Sequence, residues 1–115
     1  MAKNQVCKAR TGAVKKITNY VAVTLKNLYT YIANLKYRPL TTSFYVVDSF
    51  FDYKSGVYDA AKECTNMGAK GTNHAVLAVG YNLSASKPHI KLKNSWGPAW
   101  GESGFFRISV SKIVS

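Results

Sequence analysis

One histidine and one asparagine stand out because their side chains could act as a base and its orienting partner. His74 opens the run His-Ala-Val-Leu-Ala-Val-Gly-Tyr, and Asn94 opens the run Asn-Ser-Trp-Gly-Pro-Ala-Trp-Gly. An imidazole works as a general base near neutral pH. A hydrogen bond from a neighbouring amide can fix its tautomer and direction. The pair therefore points to nucleophilic catalysis, provided that a nucleophile is present.

Each of these residues also has a purely structural interpretation. A histidine at the start of an apolar strand is more often a satisfied structural residue. A Trp-Gly pair is usually core packing beside a turn, and Asn94 alone would be a turn residue. Only the joint pattern of the two motifs favours the catalytic interpretation.

One helix is expected among the elements that position the pair. Apolar side chains recur at three- and four-residue spacing at Leu25, Leu28, Tyr29, Ile32 and Leu35. This spacing predicts an amphipathic helix. Thr24 is the expected N-cap, and Pro39 stops the helix because the residue before a proline avoids helical geometry.

The remaining elements are predicted to be strands. They are Ser43–Val47, His74–Tyr81, Ile90–Asn94 and residues 104–110. The strand that begins at His74 is apolar enough to be buried on both faces or nearly so, and its neighbour pairs with it in antiparallel fashion. One helix and closely spaced strands predict an α+β fold, with the strands after His74 forming a meander or a small open barrel.

The chain has 115 residues and a formal net charge of +11. Residues 1–47 contain eight Lys or Arg and no acid, whereas all five acids lie between Asp48 and Glu102. Such a surplus can attract polyanions. The basic residues are scattered and no nucleic-acid-binding signature accompanies them, so nucleic acid is not an expected partner.

Two cysteines and two histidines limit the metal and redox chemistry. Cys7 and Cys64 can form one disulfide, serve separate functions or be plain buried thiols. The histidines, at positions 74 and 89, form no cluster with metal-ligand spacing, so no metal site is expected. His89 has no obvious partner and is predicted to be a surface residue.

The long motifs around His74 and Asn94 closely resemble the C-terminal half of papain-like cysteine peptidases, the group that includes cathepsins L, S and K. The resemblance covers roughly residues 5 to 110, and residues 1–115 are expected to form this half domain. It implies the β-rich half of the papain fold, peptide-bond hydrolysis, a protein or peptide substrate and no cofactor.

The resemblance assigns roles to four side chains. His74 would activate a cysteine nucleophile and then protonate the leaving amine. Asn94 would hold the ring nitrogen that faces away from the sulfur. Trp96 would shield the contact between them from water, and Trp100 would line the leaving-group side of the cleft.

Two residues beside the histidine are implied to contact substrate. Asn73 and Ala75 flank His74, where related enzymes bind the substrate backbone and line the pocket for the side chain two before the cut. Separately, Asn82-Leu83-Ser84 matches the acceptor pattern for N-glycosylation.

The family's nucleophile motif, a Cys-Gly-Ser-Cys-Trp-like sequence, is not found in this chain. Cys7 and Cys64 resemble family disulfide cysteines whose partners lie outside the sequence. The chain is therefore expected to be the half that supplies histidine and asparagine, inactive alone and completed by an N-terminal half with the catalytic cysteine. A fragment, one subunit of a processed enzyme and an inactive relative all remain open. The alternative function is a catalytically inactive interaction module with a basic surface.

The sequence contains no apolar run near the roughly 20 residues that a membrane-spanning helix needs. Its N-terminus has no secretory signal, so any targeting segment is expected outside this chain. The family resemblance implies a lysosomal, vacuolar or extracellular location.

Overall fold

The computed structural model describes residues 11–12, 15–22, 27–59 and 71–112. Its elements, in chain order, are α1 (Leu28–Leu35), β1 (Leu40–Phe44), α2 (Asp48–Phe51), β2 (Val57–Tyr58), β3 (His74–Asn82), β4 (His89–Lys93), β5 (Phe105–Ser109) and a 3-10 turn (Val110–Lys112). Cys7, Cys64, Thr24 and Leu25 lie outside the described residues. None of the helices in the described part is long and apolar enough to cross a membrane.

The five strands form one sheet in the order β1-β3-β4-β5-β2. All neighbours are antiparallel except β2 and β5, which run parallel. The consecutive strands β3, β4 and β5 form the predicted meander, and the short strand β2 extends it at one edge. The α+β class and the predominantly antiparallel sheet are therefore confirmed.

The helix begins later than the sequence predicted. It starts at Leu28, and the side-chain oxygen of Asn27 accepts a hydrogen bond from the Thr30 backbone nitrogen at 2.9 Å. This is the usual function of an N-cap residue, which Asn27 fulfils instead of Thr24. Tyr31 is buried, but Tyr29 is 84% exposed because it lies roughly 160° around the helix from Tyr31.

The first strand lies at residues 40–44 and not at Ser43–Val47 as predicted. The backbone of Val46 is bonded to a side chain instead of a neighbouring strand. Val46 N–H donates to Oδ1 of Asn73 at 2.7 Å, and Nδ2 of Asn73 donates to the Val46 carbonyl at 3.3 Å. Helix α2 then begins at Asp48, so β1 ends before the apolar pair Val46-Val47.

Strand β3 is buried on one face only, so the prediction of burial on both faces was wrong. Val76 and Ala78 are buried, while Leu77 and Val79 remain more than a third exposed. The apolar face joins a core with α1 and α2, whose largest fully buried side chains are Tyr31, Phe50, Phe106, Ile90 and Leu92. The apolar run predicted that this segment forms a strand, but it did not predict that the face with Leu77 and Val79 stays exposed.

His89 is buried, so the prediction of a surface histidine was also wrong. It is the first residue of β4 and is only 9% exposed. Nδ1 of its ring lies 2.8 Å from the carbonyl oxygen of Lys87, and it must donate because a carbonyl only accepts. The bond closes the turn between β3 and β4.

Candidate active site

His74 and Asn94 meet because β3 and β4 are antiparallel. His74 is the first residue of β3, and Asn94 directly follows the last residue of β4. Antiparallel pairing brings the start of one strand beside the end of the other, as the pairing of Leu77 with Lys93 shows. The backbone N–H of Asn94 also donates to the Gly104 carbonyl at 2.9 Å, which anchors the asparagine to the start of β5.

The hydrogen bond between the two side chains fixes the histidine tautomer. Nε2 of His74 lies 2.9 Å from Oδ1 of Asn94. The backbone N–H of Ser95 donates to the same Oδ1 at 2.8 Å, so this atom must be the amide oxygen. The ring must therefore donate to it through Nε2–H. In the neutral imidazole, Nδ1 then carries the free lone pair and is the nitrogen that can accept a proton.

The asparagine side of this bond is shielded from water. Asn94 is 7% exposed, and its Nδ2 is buried without a hydrogen-bond partner in the part of the chain that the structure describes. A hydrogen bond in such surroundings is electrostatically stronger than one in water. A buried amide donor without a partner costs about 1–3 kcal/mol. Asn94 is therefore held through its Oδ1, which contacts both His74 and the Ser95 backbone.

Aromatic rings enclose the imidazole on two sides. The Trp96 ring lies 5.0 Å from the His74 ring, tilted by 34°, and the Phe44 ring approaches it edge-on at 5.8 Å. Trp96 is itself stacked on Phe51, with ring centroids 5.1 Å apart and planes 4° from parallel. Trp96 was a predicted shielding residue, whereas neither phenylalanine was predicted to lie at the site. Phe44 could have been found from the pairing of β1 with β3, which places it opposite His74.

Trp100 connects the site to helix α2. Its indole N–H donates to the Phe51 carbonyl at 3.2 Å, and its ring packs 5.1 Å from both Phe50 and Trp96. Trp100 therefore contacts both members of the Phe51–Trp96 stack and helps to hold them in place. The role at the leaving-group side of a cleft stays a prediction.

A polar cluster holds the far end of the loop that carries the tryptophans. Arg107 donates from Nε and Nη2 to the two oxygens of Glu102, at 2.9 and 2.8 Å. The Tyr53 hydroxyl lies 2.6 Å from the Gly56 carbonyl and 3.0 Å from Oε1 of Glu102. These hydrogen bonds, those from Arg107 above all, lower the pKa of Glu102 to about 2. Burial is the main reason that the pKa of Tyr53 rises to about 12.

This cluster was not predicted from the sequence, although Glu102 and Arg107 lie only five positions apart. The isolated bridge between Glu102 and Phe105 turns the chain back and brings the two charges together. The carboxylate and the guanidinium remain partly exposed, so the cluster orders the loop more than it stabilises the fold.

The two predicted substrate-contacting residues lie on either side of His74 and are both exposed. The side chain of Asn73 is already engaged by Val46, whereas Ala75 pairs with Ser43 on β1. Among the described residues there is no cysteine, and no group of three side chains there could hold a metal ion. Among the described residues, the site therefore presents an oriented imidazole whose Nδ1 can accept a proton.

Known proteins resemble this chain along most of its length. The family described as "Papain family cysteine protease" matches residues 1–114. "Cysteine proteinase 3" of Solanum lycopersicum is 41% identical over 96% of this chain and 31% of its own length. "Pro-cathepsin H" of Mus musculus is 42% identical over 87% of this chain and 30% of its own length. The chain thus spans less than a third of each of these relatives.

A solved structure agrees with the sequence matches. The bromelain protease from Ananas comosus, in complex with the E64 inhibitor, superposes with a TM-score of 0.60 and 32% sequence identity. The superposition covers 71% of this chain and 36% of the bromelain chain. The fold described above is therefore the fold of one part of that protease.

Proposed function

Because the chain belongs to the papain family of cysteine proteases, we propose that it supplies the histidine and asparagine of a cysteine-type endopeptidase. His74 is the general base and acid, and Asn94 orients it. The thiol comes from an N-terminal half of the same protein that carries the catalytic cysteine. Trp96 and Trp100 shield the site, and Asn73 and Ala75 border the substrate.

The observation that carries this proposal is the bond between Nε2 of His74 and Oδ1 of Asn94. A structural histidine needs only a satisfied polar contact. Here a second hydrogen bond, from the backbone N–H of Ser95, determines that the amide oxygen of Asn94 faces the ring. This tautomer leaves Nδ1 of His74 free to accept a proton. A base needs such a free nitrogen facing the thiol, on the side of the ring away from Asn94.

The proposed reaction follows from this tautomer. Nδ1 of His74 takes the proton of the thiol, and the resulting thiolate attacks the carbonyl carbon of the scissile peptide bond. The imidazolium then returns the proton to the leaving amine as the carbon–nitrogen bond breaks. In the second half, Nδ1 takes a proton from water, whose oxygen attacks the carbonyl carbon of the thioester. The carbon–sulfur bond then breaks, the sulfur leaves with the electron pair, and the imidazolium returns the proton to it as the acid is released. Asn94 accepts from Nε2–H throughout and stabilises the positive ring.

The substrates are proteins or peptides, and the working location is a lysosome, a vacuole or the extracellular space. Family membership supports both proposals.

The test uses the full-length protein that contains this chain, with a fluorogenic peptide amide as substrate. Wild-type protein should hydrolyse the peptide, and an epoxide that alkylates thiols should block hydrolysis and add its mass to one cysteine. His74→Ala should reduce kcat/KM by about 10²–10⁴-fold, the usual contribution of a general acid–base group.

The matched control is His89→Ala, which removes the second histidine of the chain without touching the site. It should leave kcat/KM within a few-fold of wild type. A correctly folded full-length protein that neither hydrolyses peptides nor reacts with the epoxide would refute the proposal. That outcome would favour the catalytically inactive interaction module.

A further inference from the structure

The end of strand β3 opposite to His74 carries a feature that peptide hydrolysis does not use. Asn82 is the last residue of β3 and is followed by Leu83 and Ser84. Among all asparagines of the sequence, it alone has a serine or threonine two positions later. This is the acceptor pattern for N-linked oligosaccharides.

The local structure presents this tripeptide to solvent. Asn82, Leu83 and Ser84 are all exposed, and they lead into the bends that connect β3 to β4. Oδ1 of Asn82 accepts hydrogen bonds from the backbone N–H groups of Ser84 and Ala85, both at 3.0 Å. These bonds hold the amide oxygen against the turn. In the described part of the chain, Nδ2 of Asn82 donates to nothing.

We propose that Asn82 is glycosylated: it carries an N-linked oligosaccharide, received from a lipid-linked oligosaccharide diphosphate. In the transfer, Nδ2 of Asn82 forms a bond to the anomeric carbon of the first sugar. The bond between that carbon and the diphosphate oxygen breaks, and the lipid diphosphate leaves with the electron pair. One amide proton passes to a base of the transferase.

The position is compatible with activity at the other end of the strand. Asn82 and His74 are the two ends of β3, a separation of roughly 26 Å for a strand of this length. A sugar chain that extends outward from the turn therefore leaves the His74–Asn94 edge accessible. The transfer also requires the chain to enter the secretory pathway. A glycosylated Asn82 would therefore be direct evidence that the chain takes this route.

The experiment expresses the full-length protein, with its own targeting segment, in eukaryotic cells. Peptide N-glycosidase in heavy-oxygen water converts a glycosylated asparagine to labelled aspartate, which mass spectrometry locates. The label is expected at position 82 and at no other position of this chain, with a single shift in gel mobility after digestion.

Three variants separate the acceptor pattern from general effects of substitution. Asn82→Gln and Ser84→Ala should each abolish the mobility shift contributed by this chain, while Ser84→Thr should keep it. Peptide hydrolysis should remain within a few-fold of wild type in all three. Unlabelled Asn82 in the purified protein, or a shift from this chain that persists in Asn82→Gln, would overturn the proposal. Either result leaves the peptidase proposal untouched, because that proposal is judged by hydrolysis alone.

Discussion

Oδ1 of Asn94 lies 2.9 Å from Nε2 of His74, at the sheet edge where β3 begins and β4 ends. The two residues are twenty positions apart in sequence, and antiparallel pairing of their strands brings them together. The same oxygen accepts from the Ser95 backbone at 2.8 Å, so the imidazole is held in one tautomer. The pairing of β3 with β4 and the backbone N–H of Ser95 therefore set the orientation of the imidazole.

Removing the orienting amide should slow the reaction without abolishing it. Asn94→Ala is expected to cost about 1–3 kcal/mol, the range for losing a partner of a buried polar group. This corresponds to a loss of roughly 5- to 150-fold in kcat/KM of the full-length enzyme. Asn94→Asp keeps an acceptor oxygen and should retain more activity than Asn94→Ala.

The control for this substitution is Asn34→Ala, which removes a part-buried amide whose Nδ2 donates to Thr30 within α1. It should leave kcat/KM nearly unchanged. An equal loss in both alanine variants would mean that Asn94 acts only through general stability.

The indole of Trp96 should be replaceable by another ring but not by a methyl group. Trp96→Ala opens one side of the imidazole to water and removes the contacts with His74 and Phe51. We expect a loss of roughly tenfold in kcat/KM, because the free energy of one aromatic pair corresponds to about this factor in rate. Trp96→Phe should retain most activity. Equal rates for Trp96→Ala and wild type would show that the ring does not shield the base.

Acidic pH should destabilise the loop that the Glu102 carboxylate holds through its hydrogen bonds with Arg107. Its pKa is lowered from 4.5 to about 2, so the carboxylate contributes stability that is present above pH 4.5 and is lost as the pH falls toward 2. Because the group is partly exposed, we expect a contribution of roughly 1–2 kcal/mol to the free energy of unfolding.

This contribution is measured by urea unfolding of wild type and Glu102→Gln at several pH values. The difference between them should be present at pH 6 and should shrink between pH 4.5 and 2. Asp52→Asn, which alters an exposed acid, is the control and should show little difference at any pH. A constant difference across this range would contradict the assignment.

A methyl group at Gly101 should destabilise the tryptophan loop. Gly101 has a φ of 57°, and a Cβ there would lie 2.7 Å from the Phe105 carbonyl oxygen and 3.2 Å from the Tyr53 ring. Gly101→Ala should therefore lower the free energy of unfolding by about 1–3 kcal/mol, the cost of backbone strain at such a position. Gly80→Ala is the matched control, because a Cβ at Gly80 meets nothing within 4 Å. Similar melting temperatures for both variants would be contrary to this expectation.

The pairing of His74 with Asn94 agrees with the prediction from sequence, because their two motifs are long and follow each other in a specific order. Strand β3 was predictable from its apolar run, and its start at His74 agrees with the structure. The α+β class followed from the same local patterns, together with the helix around Tyr31 and Ile32.

The parts that the sequence did not predict depend on contacts distant along the chain. Strand β1 was placed too late because Asn73, from another segment, binds the backbone of Val46. The two phenylalanines beside the site, Phe44 and Phe51, acquire their roles only when β1 and α2 pack against His74 and Trp96. His89 is buried because the turn before β4 folds back onto it. None of these contacts leaves a periodic signal in the local sequence.

The most direct test of the central claim is the pH dependence of thiol alkylation in the full-length protein. An unperturbed cysteine has a pKa of about 8.5, and a neighbouring imidazolium lowers it by stabilising the thiolate. We predict that a neutral alkylating reagent labels the catalytic cysteine of wild-type protein rapidly at pH 5–6, and that His74→Ala shifts this reactivity to about pH 8–9. Identical profiles for the two proteins would show that His74 does not activate the thiol, and would contradict the proposed function.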